Sequence, residues 1–116
     1  MKIDDVIQTS LLYDFYGSLL TDRQREVMEL YYGENLSLSE IAAEFSISRQ
    51  GVHDLVKRCS QTLKGYEEKL HLVEKFVSIR DKVKQIDELL DGYDKENAQQ
   101  LVADIRKISD EIIEEL

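Results

Sequence analysis

The 116-residue sequence predicts an all-α protein: a helix-turn-helix domain over residues 1–65, then an antiparallel helical hairpin over residues 66–116. Three observations predict it. The chain has no proline and only five glycines, is 42% hydrophobic, and is rich in Leu, Ile, Glu, Lys and Asp, a composition that suits helices around a sizeable core. Apolar residues recur at three- and four-residue spacings along most of its length, which is the helical period. The stretch from Leu36 to Leu55, LSLSEIAAEFSISRQGVHDL, has the pattern of two helices crossing through a tight turn.

The first helix is expected over residues 3–19. Ile3, Val6, Ile7, Leu11, Leu12, Phe15, Tyr16 and Leu19 fall at helical spacings, Asp4 and Asp5 suit the positive N-terminal end, and Gly17 lies near the stop. Thr21 then caps a second helix, with Gln24 as its capping-box partner. Val27, Met28, Leu30 and Tyr31 form the apolar side, and Gly33 provides a left-handed stop. Ser37 caps the third helix with Glu40 three residues on, and Ile41, Ala42 and Phe45 share its inner face.

The run Ser46-Ile47-Ser48 breaks the period, because serine side chains compete for backbone hydrogen bonds. Ile47 plugs the turn into the core. Ser48 caps a fourth helix that starts at Arg49, packs through Val52, Leu55 and Val56, and continues to about Lys64 or Gly65. Small Ala42 lets the two helices cross closely.

From Tyr66 the character changes. Leu72, Phe76, Ile79, Val83, Ile86 and Leu90 alternate spacings of four and three, a heptad-like seam with charged residues on the other faces. Asp91-Gly92-Tyr93-Asp94 marks a turn. The last helix runs from about Lys95 to Glu115, with Leu101, Ile105, Ile108 and Ile112 in one stripe and Val102 and Ile113 beside it. A short turn between two helices makes them antiparallel neighbours.

Charge narrows the function. The net charge is −9, whereas nucleic-acid binders usually carry a basic footprint. The acid is concentrated in the second half. Residues 1–65 hold seven Lys/Arg against ten Asp/Glu, net −3, and residues 66–116 hold eight against fourteen, net −6. Within 46–65 the sign reverses: Arg49, Lys57, Arg58 and Lys64 face only Asp54, net +3. A basic patch therefore sits where the second helix of the motif would enter a DNA major groove. Because affinity scales with the number of phosphates neutralised, one copy alone should bind weakly.

Other chemistries find little support. There is no glycine-rich phosphate loop, and the carboxylates alternate with lysines as on a solvated helix face. His53 and His71 have no neighbours at metal-ligand spacing, so no catalytic residue, metal or cofactor is expected. Cys59, the one cysteine, excludes an intrachain disulfide, fits a reducing compartment and is expected to pack in the core. No apolar run approaches the ~20 residues of a membrane span. The acidic start MKIDDVIQTS lacks a signal-peptide apolar region, so a cytoplasmic protein without membrane contact is expected. Tyr13, Phe15 and Tyr16, with Tyr31 and Tyr32, admit two readings: a stacking platform for single-stranded nucleic acid, or core aromatics with hydroxyls at the edge.

The segment LTDRQREVMELYYGENLSLSEIAAEFSISRQGVHDLVKR closely resembles the last DNA-binding region of sigma factors. The order matches: a turn, a helix with a DRQREV-like start, a tyrosine-glycine stop, and a helix-turn-helix entered through a SLSEIA-like segment. The resemblance covers residues 20–64. It implies that Arg49, Gln50 and His53 face the groove, with Lys57 further along. Arg pairs with guanine and Gln with adenine, each good bidentate contact giving roughly 1–3 kcal/mol of discrimination. Arg23, Arg25, Ser46 and Ser48 are candidates for phosphate contacts. Three positions depart from the pattern. Asp54 projects from the reading helix and would repel phosphate, Ser46 replaces the usual turn glycine, and Gly51 costs about 1 kcal/mol of helix propensity while allowing close backbone approach.

The whole chain is similar to the YlxM family of short bacterial proteins, including its Leu11-Leu12-Tyr13-Asp14-Phe15-Tyr16-Gly17 run, its centre and its acidic hairpin. That resemblance implies a DNA-binding or regulatory protein associated, through gene neighbourhood, with the signal recognition particle genes. The favoured expectation is a sequence-specific binder of double-stranded DNA acting as a homodimer. Pairing of the hairpin seams would bring two recognition helices to half-sites one turn apart. The hairpin has two other readings: a monomer in which it packs on the N-terminal domain, or an acidic surface for a basic protein or RNA-protein particle. The rival function is a protein-interaction module that keeps the helix-turn-helix fold without DNA affinity.

Overall fold

The computed structural model describes residues 3–116, with side chains from Ile7 onward. The expected roles of the Ile3, Asp4, Asp5 and Val6 side chains lie outside the described residues. The elements are α1 (Ile3–Tyr16), a 3₁₀ turn (Gly17–Leu19), α2 (Asp22–Met28), a π turn (Glu29–Gly33), α3 (Leu38–Phe45), α4 (Arg49–Leu70), α5 (Leu72–Asp91), a 3₁₀ turn (Lys95–Asn97) and α6 (Ala98–Glu115), with no strand among the described residues. The chain divides into two compact units, Met1–His71 and Leu72–Leu116. No helix among the described residues is long and apolar enough to cross a membrane.

The capping signals act where the sequence places them. The Thr21 hydroxyl accepts from the Gln24 N–H at 3.2 Å, and the Gln24 side chain accepts from the Thr21 N–H at 2.9 Å. Ser37 and Glu40 repeat the arrangement at 3.1 and 3.2 Å. Each pair satisfies two backbone donors that a helix start leaves open.

The first unit closes around Leu12, Tyr16, Val27, Met28, Ile41, Val52, Cys59 and Leu63, all fully buried. Burial pushes the Cys59 thiol above its usual pKa, which keeps it protonated and unreactive. Tyr16 ties α1 to α4: its ring lies 5.9 Å from that of Tyr66, and its hydroxyl donates to Glu67 at 2.6 Å. Tyr13 donates to Glu29 at 3.0 Å, and its hydroxyl pKa is raised, first by burial and then by that carboxylate. Tyr16 is therefore sealed in the core, and Tyr13, Phe15 and Tyr16 do not form an open stacking platform.

Four expectations are corrected. The stop after α2 is made by Asn35, at φ 57°, and not by Gly33, since no glycine has positive φ; Asn is the non-glycine residue best suited to that conformation. Leu19, counted on the inner face of the first helix, is 55% exposed because α1 ends at Tyr16 and the 3₁₀ turn rotates it outward. Ile7 is equally exposed.

The fourth helix does not end near Gly65. It runs 22 residues to Leu70, and left-handed His71, at φ 55°, caps it by donating to the Glu67 carbonyl at 2.9 Å. A mid-helix glycine costs only about 1 kcal/mol, and burial of Leu63 with the Tyr16 contacts outweighs it. The first unit thus extends to His71 and includes Tyr66, and the hairpin starts at Leu72.

In the second unit α5 and α6 are antiparallel. Glu115 at the end of α6 accepts from Ser78 at 2.7 Å, in the first half of α5, and from Lys82 at 3.0 Å, just past its midpoint. Leu101 is buried, and Ile105, Ile108 and Ile112 are half-buried, as is Leu89 of α5. The heptad-like seam is only partly covered. Ile79 and Ile86 are half-buried, while Leu72, Phe76, Val83 and Leu90 are 40–50% exposed. Two helices offer each other one stripe, and the rest of the wider apolar face stays partly exposed.

Two tests arise here. Ser46 lies at φ 55° in the turn after α3, a conformation that disfavours side chains with a Cβ by roughly 1–2 kcal/mol. Ser46→Gly is expected to stabilise the protein by about 0.5–1 kcal/mol after the extra unfolded-state entropy of glycine is subtracted, read as a raised urea midpoint at constant m-value. The hydrogen bond from Ser78, followed by that from Lys82, holds the Glu115 carboxyl below the ordinary range. A depressed folded pKa stabilises the hairpin above the usual Glu value of about 4.3. That contribution is lost as pH falls through the lower folded value. Amide exchange in the last turn of α6, compared at constant intrinsic rate, should accelerate over that acid window, and Ser78→Ala should flatten the dependence.

Candidate nucleic-acid interface

The turn between α3 and α4 is built from three local devices. Ser46 takes the left-handed conformation, the Ile47 N–H donates back to the Ala42 carbonyl at 3.1 Å, and the Ser48 hydroxyl caps α4 by accepting from the Gly51 N–H at 2.9 Å. Ile41, Ala42 and Val52 are buried where α3 and α4 cross, and Ile47 is half-buried. Gly51 serves the cap: a Cβ there would stand 3.1 Å from the Ser48 oxygen. Gly51 thus meets a need inside the turn itself, beside the close approach of another molecule that its missing side chain allows.

Arg49, Gln50 and His53 line one surface recess of about 450 Å³ together with Leu38 of α3. Lys57 lies one turn beyond His53, and both residues also line a neighbouring pocket of about 290 Å³. These four expected groove-facing residues therefore follow one exposed side of α4, which is buried on its other side through Val52, Val56, Cys59 and Leu63.

Asp54 is engaged. Its Oδ1 accepts from the Gln50 amide at 3.0 Å and lies 3.6 Å from His53 Nδ1. The first is a hydrogen bond and the second is too long for one. Gln50 thus has a competitor for the donor it would offer a base. Asp54 otherwise faces a different recess, shared with Gln24, Gly51, Leu55 and Arg58.

The expected phosphate contacts separate. Ser46 and Ser48 flank the start of α4 and are exposed, and Ser48 keeps its own hydroxyl proton free to donate after accepting the cap bond. Arg23 and Arg25 lie on α2 and have internal partners. The Arg23 guanidinium stands 5.6 Å from the centre of the Phe45 ring, bracing α2 against α3, and Arg25 pairs with Asp22 one turn earlier. Lys64, expected only as part of the basic patch, and Ser60, which was not foreseen, continue the His53 and Lys57 side of α4 at spacings of three and four, with an unforeseen Tyr31–Tyr32 wall beside them. The spacing 53, 57, 60, 64 held the signal for the first two; the wall required the packing of the π turn against α4.

Comparison with known proteins agrees with this architecture. A family model described as "Putative helix-turn-helix protein, YlxM / p13 like" matches residues 3–114. The UPF0122 protein of Desulforamulus reducens is 49% identical over 105 residues, covering 90% of each chain. That of Caldanaerobacter subterraneus subsp. tengcongensis is 51% identical over 87 residues, 75% of this chain and 74% of its own length. That of Clostridium kluyveri is 45% identical over 100 residues, 85% of this chain and 90% of its own.

Proposed function

The chain belongs to this helix-turn-helix family, and on that premise we propose that it is a non-enzymatic regulator that binds double-stranded DNA sequence-specifically, with the start of α4 in the major groove. One observation carries the proposal: Arg49, Gln50 and His53 converge on one recess at the exposed start of a capped helix, with Lys57 one turn on. Arg49 pairs with guanine, Gln50 with adenine after releasing Asp54, and His53 with a base edge. Lys57, Ser46 and Ser48 hold phosphates, and Arg23 and Arg25 join them by exchanging their internal partners for the backbone.

A net charge of −9 makes one copy a weak binder. The exposed Leu72, Phe76, Val83 and Leu90 supply the remedy as the contact between two copies, which doubles the phosphates engaged. The tie to the signal recognition particle genes rests on the family resemblance alone.

The rival, a protein-interaction module with a silent helix-turn-helix, is favoured by the same charge and by the hold of Asp54 on Gln50. Salt separates them. Duplex fragments selected from genomic DNA should bind with a logarithmic salt slope of about −3 or steeper, as release of several counterions requires. Absence of binding at low salt would overturn the DNA-binding proposal and favour the rival.

A further inference from the structure

The pocket of about 290 Å³ beside Lys57 has a composition that duplex recognition does not require. Its walls include the Tyr31 and Tyr32 rings, packed edge to face with centres 4.9 Å apart. Both rings are half-buried, and buried Val56 contributes the apolar floor. Lys57, Ser60 and Lys64 follow α4 along one side.

Charge gives the pocket its meaning. The chain has 24 acidic residues against 15 basic ones, yet among the described residues no Asp or Glu lines this pocket and two lysines do. Among the described residues neither Lys57 nor Lys64 has a carboxylate within ion-pair distance. Seven residues apart on one helix, they lie roughly 10 Å apart along its axis. A ring seated against Val56 and the tyrosines therefore has a cation within reach in either direction. Aromatic walls select a flat ring and lysines select an anion without demanding a particular geometry. The volume lies at the small end of ligand sites.

We propose that this pocket is an effector site for a small planar aromatic anion, a ring bearing a phosphate or a carboxylate, whose binding competes with DNA. Competition follows because the occupant neutralises Lys57 and lies against His53, both of the reading face; this part rests on the DNA-binding function proposed above, whereas the site itself does not.

The test titrates the isotope-labelled full chain with adenosine 5′-monophosphate and with salicylate, followed by amide chemical shifts. At least one probe should give saturable shifts grouped at Tyr31, Tyr32, Lys57, Ser60 and Lys64. A response to the nucleotide alone assigns a phosphate ligand, and a response to salicylate alone assigns a carboxylate. Neutral adenosine and benzamide should bind at least tenfold more weakly. Exposed Lys64→Glu should weaken the charged probe at least tenfold with an unchanged circular dichroism spectrum, and Tyr31→Leu, which keeps apolar bulk, should also weaken it. Absent shifts, equal binding of the neutral analogues, or undiminished binding to Lys64→Glu would overturn the site. In a parallel arm the effective probe should displace duplex from the unmodified chain at the concentration that saturates the shifts. Saturation without displacement overturns the competition, whereas absence of duplex binding at any salt refutes the DNA function and leaves the site to the shift data.

Discussion

Replacing Arg49 and Gln50 together by alanine is expected to remove sequence discrimination while leaving the helical circular dichroism spectrum intact. Each residue is assigned one bidentate base contact, and such contacts contribute roughly 1–3 kcal/mol apiece. The pair then accounts for about 2–6 kcal/mol, or roughly 30-fold to 10⁴-fold in the ratio of specific to non-specific affinity. The lower half of that range is expected, because Gln50 first gives up its 3.0 Å bond to Asp54. Folding should be untouched: both side chains are exposed, the cap of α4 is Ser48, and alanine is the best helix former. The measurement is a competition titration of the selected duplex against a scrambled one. Full discrimination by the double variant would remove α4 from the reading role.

Val83→Lys in the centre of the α5 seam is expected to convert a dimer to a monomer in sedimentation velocity and to lower duplex affinity by about 100-fold or more. Val83 is 45% exposed in the isolated chain, so the substitution leaves the hairpin its buried stripe. In a pair of seams the same position is enclosed, and two lysines would meet there without partners. Desolvating such charges costs several kcal/mol per ion. Loss of the second copy also halves the phosphates engaged, so the salt slope should fall to about half its original value. An unchanged sedimentation coefficient would exclude this seam as the dimer contact. A monomer that retains full affinity would separate DNA binding from dimerisation.

Much of the fold was legible in short stretches of sequence. The Thr21/Gln24 and Ser37/Glu40 boxes and the Ser48 cap involve partners three residues apart. Energies set over one helical turn leave their signature in one helical turn of sequence. The break at Ser46 was visible for the same reason, and its left-handed conformation is one that glycine adopts at no steric cost.

What escaped involves partners that are distant in sequence. Gly65 looked like a stop, but Tyr16, fifty-one residues before Glu67, holds α4 past it. Arg23 looked like a free cation until Phe45 came to lie beneath it. Aromatic Tyr31 and Tyr32 gave no sign of the lysine side of α4 that they would meet. The heptad spacing of α5 identified an apolar seam but left open whether α6 would cover it, because a hydrophobic period specifies a face and not the molecule that buries it.

By itself, then, the sequence determined the helices, their caps, the turn between α3 and α4 and the polar start of α4. These depend on the backbone's local demand for hydrogen bonds and on side-chain period. Tertiary structure alone decided which cations are engaged by internal partners, how far α4 extends, which residues of the α5 seam stay partly exposed, and that two lysines and two tyrosines share one pocket. Those outcomes depend on which surfaces exclude water together, and water exclusion is settled by the packing of remote segments.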